Sequence, residues 1–175
     1  MKIGWFTNFN QKLNKPKHKK EVSSSASLGW VYGIELDKIT KPFKTIDSQS
    51  IIYTISSRLI VYNLQCNKQS VYDKHKRTVT AFTFNKRAKV VASAEGDRNA
   101  KIHIWSYHNL ETLSIIPVDH SHSITLMQFV EEGARLMAVG ARWCSPVMSF
   151  DTIDYSHLNG VCMSEEIKDI VCLEC

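Results

Sequence analysis

Thr78–Phe84, with the sequence TVTAFTF, returns 45 residues later as Ser123–Phe129, with the sequence SITLMQF. His75 and His120 are separated by the same 45 residues and precede the two stretches by three residues each. Both stretches are rich in the β-branched and aromatic side chains that favour strands. A strand and a preceding histidine that recur together indicate duplicated supersecondary units.

A second series keeps the same phase. Tyr62-Asn63, Trp105-Ser106 and Phe150-Asp151 each close an apolar run, and they follow one another at steps of 43 and 45 residues. A period of about 40–45 residues with an aromatic–polar pair at the end of a strand is typical of the blades of a β-propeller. The sequence therefore predicts an all-β fold built from repeated four-stranded units.

The remaining strands are predicted from short runs of β-branched and aromatic residues between polar turns. The runs are Trp30–Ile34, Ile51–Ile55, Leu59–Tyr62, Ser70–Tyr72, Val79–Phe84, Val90–Ala94, Lys101–Trp105, Thr112–Ile116, Ile124–Phe129, Leu136–Gly140, Val147–Phe150 and Val161–Met163.

The end of the chain continues the same register. Ile167 lies 43 residues after Ile124, and Cys172 lies 43 residues after Phe129. The repeats are therefore predicted at about 28–73, 74–118 and 119–163, with 164–175 starting a further blade. About three blades leave a propeller incomplete, since closed propellers need about four or more. We expect a fragment of a longer polypeptide; the alternative is that another chain completes the ring.

Composition describes a globular protein of 175 residues, with 43% hydrophobic and 22% charged residues. No apolar run approaches the roughly 18 residues of a membrane-spanning helix, and the first residues lack the apolar stretch of a secretory signal. Five cysteines without such a signal favour reduced thiols rather than a disulfide framework. These features predict a location in the cytoplasm.

The positive charge is concentrated at the amino terminus. Residues 1–27 hold six lysines against Glu21 alone, whereas the rest of the chain holds 16 basic and 16 acidic residues. Residues 1–27 are predicted to form a basic flexible arm that ends in a serine-rich linker, and 28–175 the propeller. Such an arm suits an acidic partner: nucleic acid, anionic lipid or an acidic protein surface. The candidate partner-binding residues are Lys2, Lys12, Lys15, Lys17, Lys19 and Lys20.

The landmarks resemble those of WD-repeat propellers, in which a Gly-His pair precedes the inner strand and a Trp-Asp pair ends the third strand. Lys74-His75 and Asp119-His120 stand for the first pair, and Trp105-Ser106 and Phe150-Asp151 for the second. Both glycines of the first pair are missing and one tryptophan is retained, so the set has diverged.

In that family a histidine, a Ser or Thr of the second strand, the tryptophan and an aspartate of a turn form a hydrogen-bonded tie between strands. The resemblance implies that His75, Ser93 and Trp105 occupy the first three places, with Asp97 as the fourth. It gives His120 the same structural role in the next repeat.

A narrower resemblance begins at Leu28–Gly33, with the sequence LGWVYG, and continues through Ile52–Ile55 and Ile60–Asn63. It is similar to the segment that leads into the first propeller of the echinoderm microtubule-associated protein-like (EMAP-like, HELP-motif) family. This resemblance implies a microtubule-binding protein with a basic region before the propeller. It also implies that Trp30 and Tyr32 seal the place where the chain enters the propeller.

The sequence lacks the common catalytic and cofactor-binding signatures. The sequence contains no Gly-x-Ser-x-Gly elbow, no phosphate-binding Gly-x-x-x-x-Gly-Lys loop and no Gly-x-Gly-x-x-Gly. Cys162, Cys172, Cys175 and His157 offer zinc-ligand chemistry, but the repeat phase places Cys172 at the position of a core phenylalanine. We expect no enzyme activity, no cofactor and no metal.

The sequence therefore predicts a non-catalytic scaffold for protein–protein interaction. The preferred partners are tubulin and microtubules or an axonemal complex, which would place the protein on the cytoskeleton or in a cilium. Two alternatives stay open. One is a WD-repeat protein that binds RNA or ribosomes through the same arm, and the other is the adaptor propeller of a ubiquitin-ligase or trafficking complex.

Overall fold

The computed structural model describes residues 28–34, 43–96, 99–118, 123–141 and 147–161. These residues form three antiparallel four-stranded sheets, and the only helical piece among them is a 3₁₀ turn, Glu131–Gly133. The predicted all-β fold of about three propeller blades is confirmed. Within the same ranges, no helix is long and apolar enough to cross a membrane.

Sheet 1 has the strand order β1-β2-β3-β4 and sheet 2 the order β5-β6-β7-β8. Sheet 3 is built in the same way, with β9 beside β10, β10 beside β11 and β11 beside β12. The strands are β1 Phe43–Thr45, β2 Ser50–Ile55, β3 Arg58–Asn63, β4 Lys68–Tyr72, β5 Val79–Asn85, β6 Val90–Glu95, β7 Lys101–Ser106, β8 Thr112–Pro117, β9 Ile124–Val130, β10 Arg135–Gly140, β11 Val147–Asp151 and β12 His157–Val161.

The core consists of two apolar layers, one on each face of sheet 2. Val91 and Trp105 of sheet 2 pack with Ile52 and Leu59 of sheet 1. On the other face, alternate residues of β6 and β7 pack with sheet 3. Because both faces are covered, every residue of β6 is buried. A strand that is buried on both faces usually has a nearly continuous run of small and apolar residues, and β6 has such a run.

One strand prediction was wrong, and another began too late. The segment Trp30–Ile34 forms no strand, and the inner strand of sheet 1 is Phe43–Thr45 instead. The Gln69 carboxamide accepts a hydrogen bond from the Val31 N–H at 2.9 Å and donates one to the Val31 carbonyl at 3.0 Å. One side chain thus replaces a neighbouring strand. The last predicted strand begins at His157, four residues before the predicted start at Val161, and residues 162–163 of the prediction lie outside the described ranges.

The strands define two ends of the sheets. The upper end carries the β2–β3 turn, the β4–β5 connection at residues 73–78 and the connection between β6 and β7. The lower end carries the β3–β4, β5–β6, β7–β8 and β9–β10 turns. At the upper end, Val79 N–H donates to Ser56 O at 2.8 Å and Gly96 N–H donates to Thr78 O at 2.7 Å. The end of the β4–β5 connection is therefore bonded to the β2–β3 turn of sheet 1 and to the connection after β6 of sheet 2.

Candidate functional site: a buried polar network at the upper end

His75, Ser93 and Trp105 meet between sheets 1 and 2. Ser93 lies in the middle of β6, Trp105 near the end of the neighbouring β7, and His75 in the β4–β5 connection. His75 Nε2 is 2.7 Å from Ser93 Oγ, and Trp105 Nε1 donates to the same oxygen at 3.0 Å. All three side chains are buried. The structure brings together these three of the predicted structural residues.

Glu95 extends the network beyond the predicted residues. It lies two positions after Ser93 on β6, on the same face of the strand, and is 5% exposed. Its Oε1 accepts a hydrogen bond from Lys76 N–H at 3.0 Å. The same oxygen lies 3.3 Å from His75 Nδ1 and 3.5 Å from His103 Nε2. A buried carboxylate therefore faces three N–H groups, which is the compensation that a buried charge requires.

Tyr72 joins sheet 1 to this network. It is the last residue of β4, and its hydroxyl lies 3.0 Å from His103 Nδ1 and 2.8 Å from Thr112 Oγ1. The bonds of Tyr72 thus cross from the outer strand of sheet 1 to β7 and β8 of sheet 2. Because the contact is buried, it fixes the two sheets relative to each other.

One arrangement of protons satisfies every bond. Trp105 Nε1 can only donate, so Ser93 Oγ accepts from it and donates its own proton to His75 Nε2. His75 then carries its proton on Nδ1, facing Glu95. In the same way the Tyr72 hydroxyl donates to His103 Nδ1, which leaves the Nε2 proton of His103 facing Glu95 Oε1 at 3.5 Å. Both branches converge on the Glu95 carboxylate.

Burial sets the charge of the two histidines. It lowers the pKa of His75 to about 4, with the nearby His103 acting in the same direction and Glu95 opposing it. Burial also lowers the pKa of His103, against the attraction of Glu95. Both imidazoles are therefore neutral at neutral pH, and neither contact with Glu95 is an ion pair.

His75, Glu95 and His103 also have the chemistry of metal ligands, since their ligand atoms lie within 4.8 Å of one another. The orientation of the rings does not suit coordination. The two imidazoles are stacked, with centroids 4.0 Å apart and planes inclined by 28°, whereas a metal ion binds in the plane of each ring. Each ligand atom also takes part in the hydrogen-bond network described above. The geometry thus favours a structural tie over a metal centre.

Sheet 3 replaces this network by apolar packing. In sheet 2, Ser93 pairs with His103, and Val91 pairs with Trp105. The matching pairs of sheet 3 are Ala138 with Met148 and Leu136 with Phe150. These four side chains of sheet 3 are buried and apolar. In the described part of the chain, the polar tie is therefore specific to the junction of sheets 1 and 2.

The other predicted site residues fall into two groups. Trp30 is half-buried and packs edge-on against Tyr62, with ring centroids 5.8 Å apart, whereas Tyr32 is 85% exposed. Tyr32 therefore covers little of sheet 1, unlike Trp30. The remaining predicted residues lie outside the described ranges: Lys2, Lys12, Lys15, Lys17, Lys19, Lys20, Asp97 and His120.

Sequence reasoning did not assign a role to Tyr72, Glu95, His103 or Gln69. Two of them carried a usable signal, because alternate residues of a strand share a face. Glu95 lies two residues from Ser93, and His103 two residues from Trp105. The side chains of Glu95 and His103 therefore lie on the same face of sheet 2 as Ser93 and Trp105. Tyr72 and Gln69 act across sheets or over 38 residues, so no local spacing indicates them.

Comparisons with known proteins agree with this architecture. No family model matches the sequence. A solved structure described as "Structure of U3-55K", a WD40 propeller protein, matches with a TM-score of 0.60 and 15% sequence identity. The match covers 69% of this chain and 38% of that chain, so this chain corresponds to well under half of its length. At this identity the likeness shows the fold alone, a WD40-like β-propeller, and the EMAP-like resemblance stays a prediction.

Proposed function

We propose that this chain is the propeller part of a non-catalytic interaction scaffold that binds microtubules through its basic arm. One observation supports the scaffold function: the buried polar groups are engaged in structural contacts with one another. His75, Ser93, Glu95 and His103 bond to one another and to the sheets, beneath the surface, where they hold blades together. WD40-like propellers are typically non-catalytic and present their surfaces to protein partners.

The microtubule proposal is supported by charge and by the sequence resemblance. Six lysines against one glutamate in residues 1–27 suit an acidic lattice, and Leu28–Gly33 resembles the start of an EMAP-like propeller. Attraction of this kind is long-ranged at low salt and screened at high salt. We accordingly propose a cytoskeletal or axonemal location.

Co-sedimentation of the full chain with microtubules over a salt series from about 50 to about 300 mM tests this function. One variant carries glutamine at Lys12, Lys15, Lys17, Lys19 and Lys20, and the matched control carries arginine at the same positions. We expect salt-sensitive pelleting that the glutamine variant loses and the arginine variant keeps. Absence of pelleting at low salt by the folded chain would contradict the proposal.

The same variants separate the two alternatives. If the arm binds RNA in preference to tubulin, the glutamine variant loses RNA binding and an excess of RNA releases the chain from microtubules. The aromatic residues Trp5, Phe6 and Phe9 among the lysines would supply stacking in that case. If the propeller is an adaptor, partner capture persists in the glutamine variant.

A further inference from the structure

The charges of the described residues are unevenly divided between the two ends of the sheets. The sequence after residue 27 is neutral overall, with 16 basic and 16 acidic residues, so composition hides this asymmetry. The described part of the lower end is nearly balanced, with the cations Lys68, Lys86, Arg87, Lys89 and Arg135 and the anions Asp47, Glu111, Glu131, Glu132, Asp151 and Asp154. The upper end differs.

Five exposed cations lie at the upper end, around the junction of sheets 1 and 2: Arg58, Lys74, Lys76, Arg77 and Lys101. Two anions among the described residues lie there with them. Glu95 is buried under the N–H groups of the network, and Asp73 forms one exposed ion pair with Lys74 at 3.8 Å. An ion pair of that exposure is weak, so the described residues of this end carry an excess of positive charge.

Backbone contacts bring these cations to one place. Arg58 begins β3, directly after the turn whose Ser56 carbonyl accepts from Val79 N–H, and this contact joins it to the Lys76–Arg77 part of the connection. Lys101 begins β7 two residues before His103, and its charge helps to lower the pKa of that histidine. The five cations therefore lie at neighbouring strand starts and in the connection beside them, on the side of the buried network that faces the upper end.

The network holds this surface in shape. Lys76 donates its N–H to Glu95 while its side chain is exposed, and His75 beside it is fixed through Ser93. The connection that carries three of the five cations is thus ordered before any partner arrives. A partner that binds an ordered connection does not have to offset the entropy cost of ordering that backbone.

We propose that this upper surface (Arg58, Lys74, Lys76, Arg77 and Lys101) is a second docking site, for an acidic glutamate- or aspartate-rich protein segment. The proposal rests on the scaffold function above but is independent of the arm. A protein segment fits better than single-stranded nucleic acid, because nucleic-acid grooves interleave cations with exposed aromatic rings. The two aromatic rings next to Lys74 and Lys76 in the sequence, those of Tyr72 and His75, are buried in the network.

The test is binding of a fluorescently labelled 12-residue glutamate-rich peptide to the full chain, followed by anisotropy at low salt. The test variant carries Lys74→Gln, Lys76→Gln and Arg77→Gln. The matched control carries Lys86→Gln, Arg87→Gln and Lys89→Gln, which removes the same number of lysines and arginines from exposed positions of the lower end. Both variants have the same net charge, so only the location of the loss differs.

We expect the upper-end variant to bind the peptide about tenfold more weakly and the lower-end control to bind within twofold of the unaltered chain. Equal losses in the two variants would overturn the proposal, as would absence of peptide binding at low salt. Tighter binding of a single-stranded oligonucleotide of equal charge, lost in the upper-end variant, would overturn the assignment to a protein segment. Peptide binding that survives neutralisation of the arm lysines supports the proposal even if microtubule pelleting fails.

Discussion

The Tyr72 ring lies parallel to the Trp105 indole, with 4.3 Å between ring centroids and 4° between ring planes. The first residue ends the outer strand of sheet 1, and the second lies in the third strand of sheet 2. The same tyrosine bonds His103 and Thr112 through its hydroxyl. One side chain therefore provides both apolar and polar contact across the junction of two blades.

Removal of that hydroxyl should weaken the junction without opening a cavity. The change Tyr72→Phe keeps the stacked ring and leaves His103 Nδ1 without its donor. We expect the free energy of unfolding, measured by urea denaturation, to fall by about 1–2 kcal/mol. Tyr62→Phe is the control, since its hydroxyl bonds Asn67 in an exposed position and should matter by less than about 0.5 kcal/mol. Equal effects of the two changes would contradict the buried role of Tyr72.

The depressed pKa of His75 makes stability depend on pH. The unfolded histidine binds a proton near its ordinary value of 6.5, whereas the folded one does so at about 4. Between these values the unfolded state holds more protons, so stability falls as the pH is lowered from about 6.5 to about 4. The free energy of unfolding should fall by about 3 kcal/mol at most through His75 alone. His103 acts in the same direction.

The pH dependence can be assigned with two variants. His75→Gln removes the titrating group and should flatten the slope of unfolding free energy against pH in this window. His108→Gln, at an exposed position outside the network, is the matched control. A slope that persists in His75→Gln and His103→Gln alike would contradict the assignment.

Gln69 should determine how firmly the backbone of the segment Leu28–Ile34 is bound to sheet 1. The change Gln69→Ala removes both hydrogen bonds to the Val31 backbone, together with the bond from Gln69 Nε2 to the Tyr53 hydroxyl. We expect faster amide hydrogen exchange at Val31 and a loss of global stability below about 1 kcal/mol. Gln65→Ala, on the exposed β3–β4 turn, is the matched control. Unchanged exchange at Val31 would show that the segment is held by other contacts.

Gly133 should resist substitution for two separate reasons. Its φ of +95° is strained for any L side chain, and an added Cβ would collide with the carboxamide of Asn85 of sheet 2. We expect Gly133→Ala to cost about 1–3 kcal/mol. In combination with Asn85→Ser the loss should be less than additive, because the shorter side chain relieves the clash and leaves the backbone strain. Full additivity would contradict this contact between sheets 2 and 3.

The repeat phase was sufficient to predict the three blades and the recurring positions of His75 and Trp105, and the resemblance to WD-repeat propellers added Ser93 and the tie. It succeeded there because strand positions repeat locally and because alternate residues share a face. It failed at Trp30–Ile34, where the hydrophobic pattern is that of a strand but the backbone partner is the Gln69 side chain. No pattern of the segment itself indicates a partner 38 residues away.

The upper-end surface was missed for a different reason. Its cations come from β3, from the β4–β5 connection and from β7, and equal numbers of acidic residues elsewhere cancel them in the composition. Net charge is a property of the whole sequence, whereas a docking surface depends on which strand ends meet. The topology of the sheets supplies that information and the sequence pattern does not.

Microtubule co-sedimentation of two variants, corrected for the folded fraction, tests the central claim most directly. Glu95→Gln disrupts the buried network and should destabilise the chain by about 2–4 kcal/mol. We predict that its folded molecules pellet like the unaltered chain, whereas the arm variant with glutamine at the five lysines stays folded and does not pellet. Loss of pelleting by folded Glu95→Gln, with pelleting retained in the arm variant, would contradict the account.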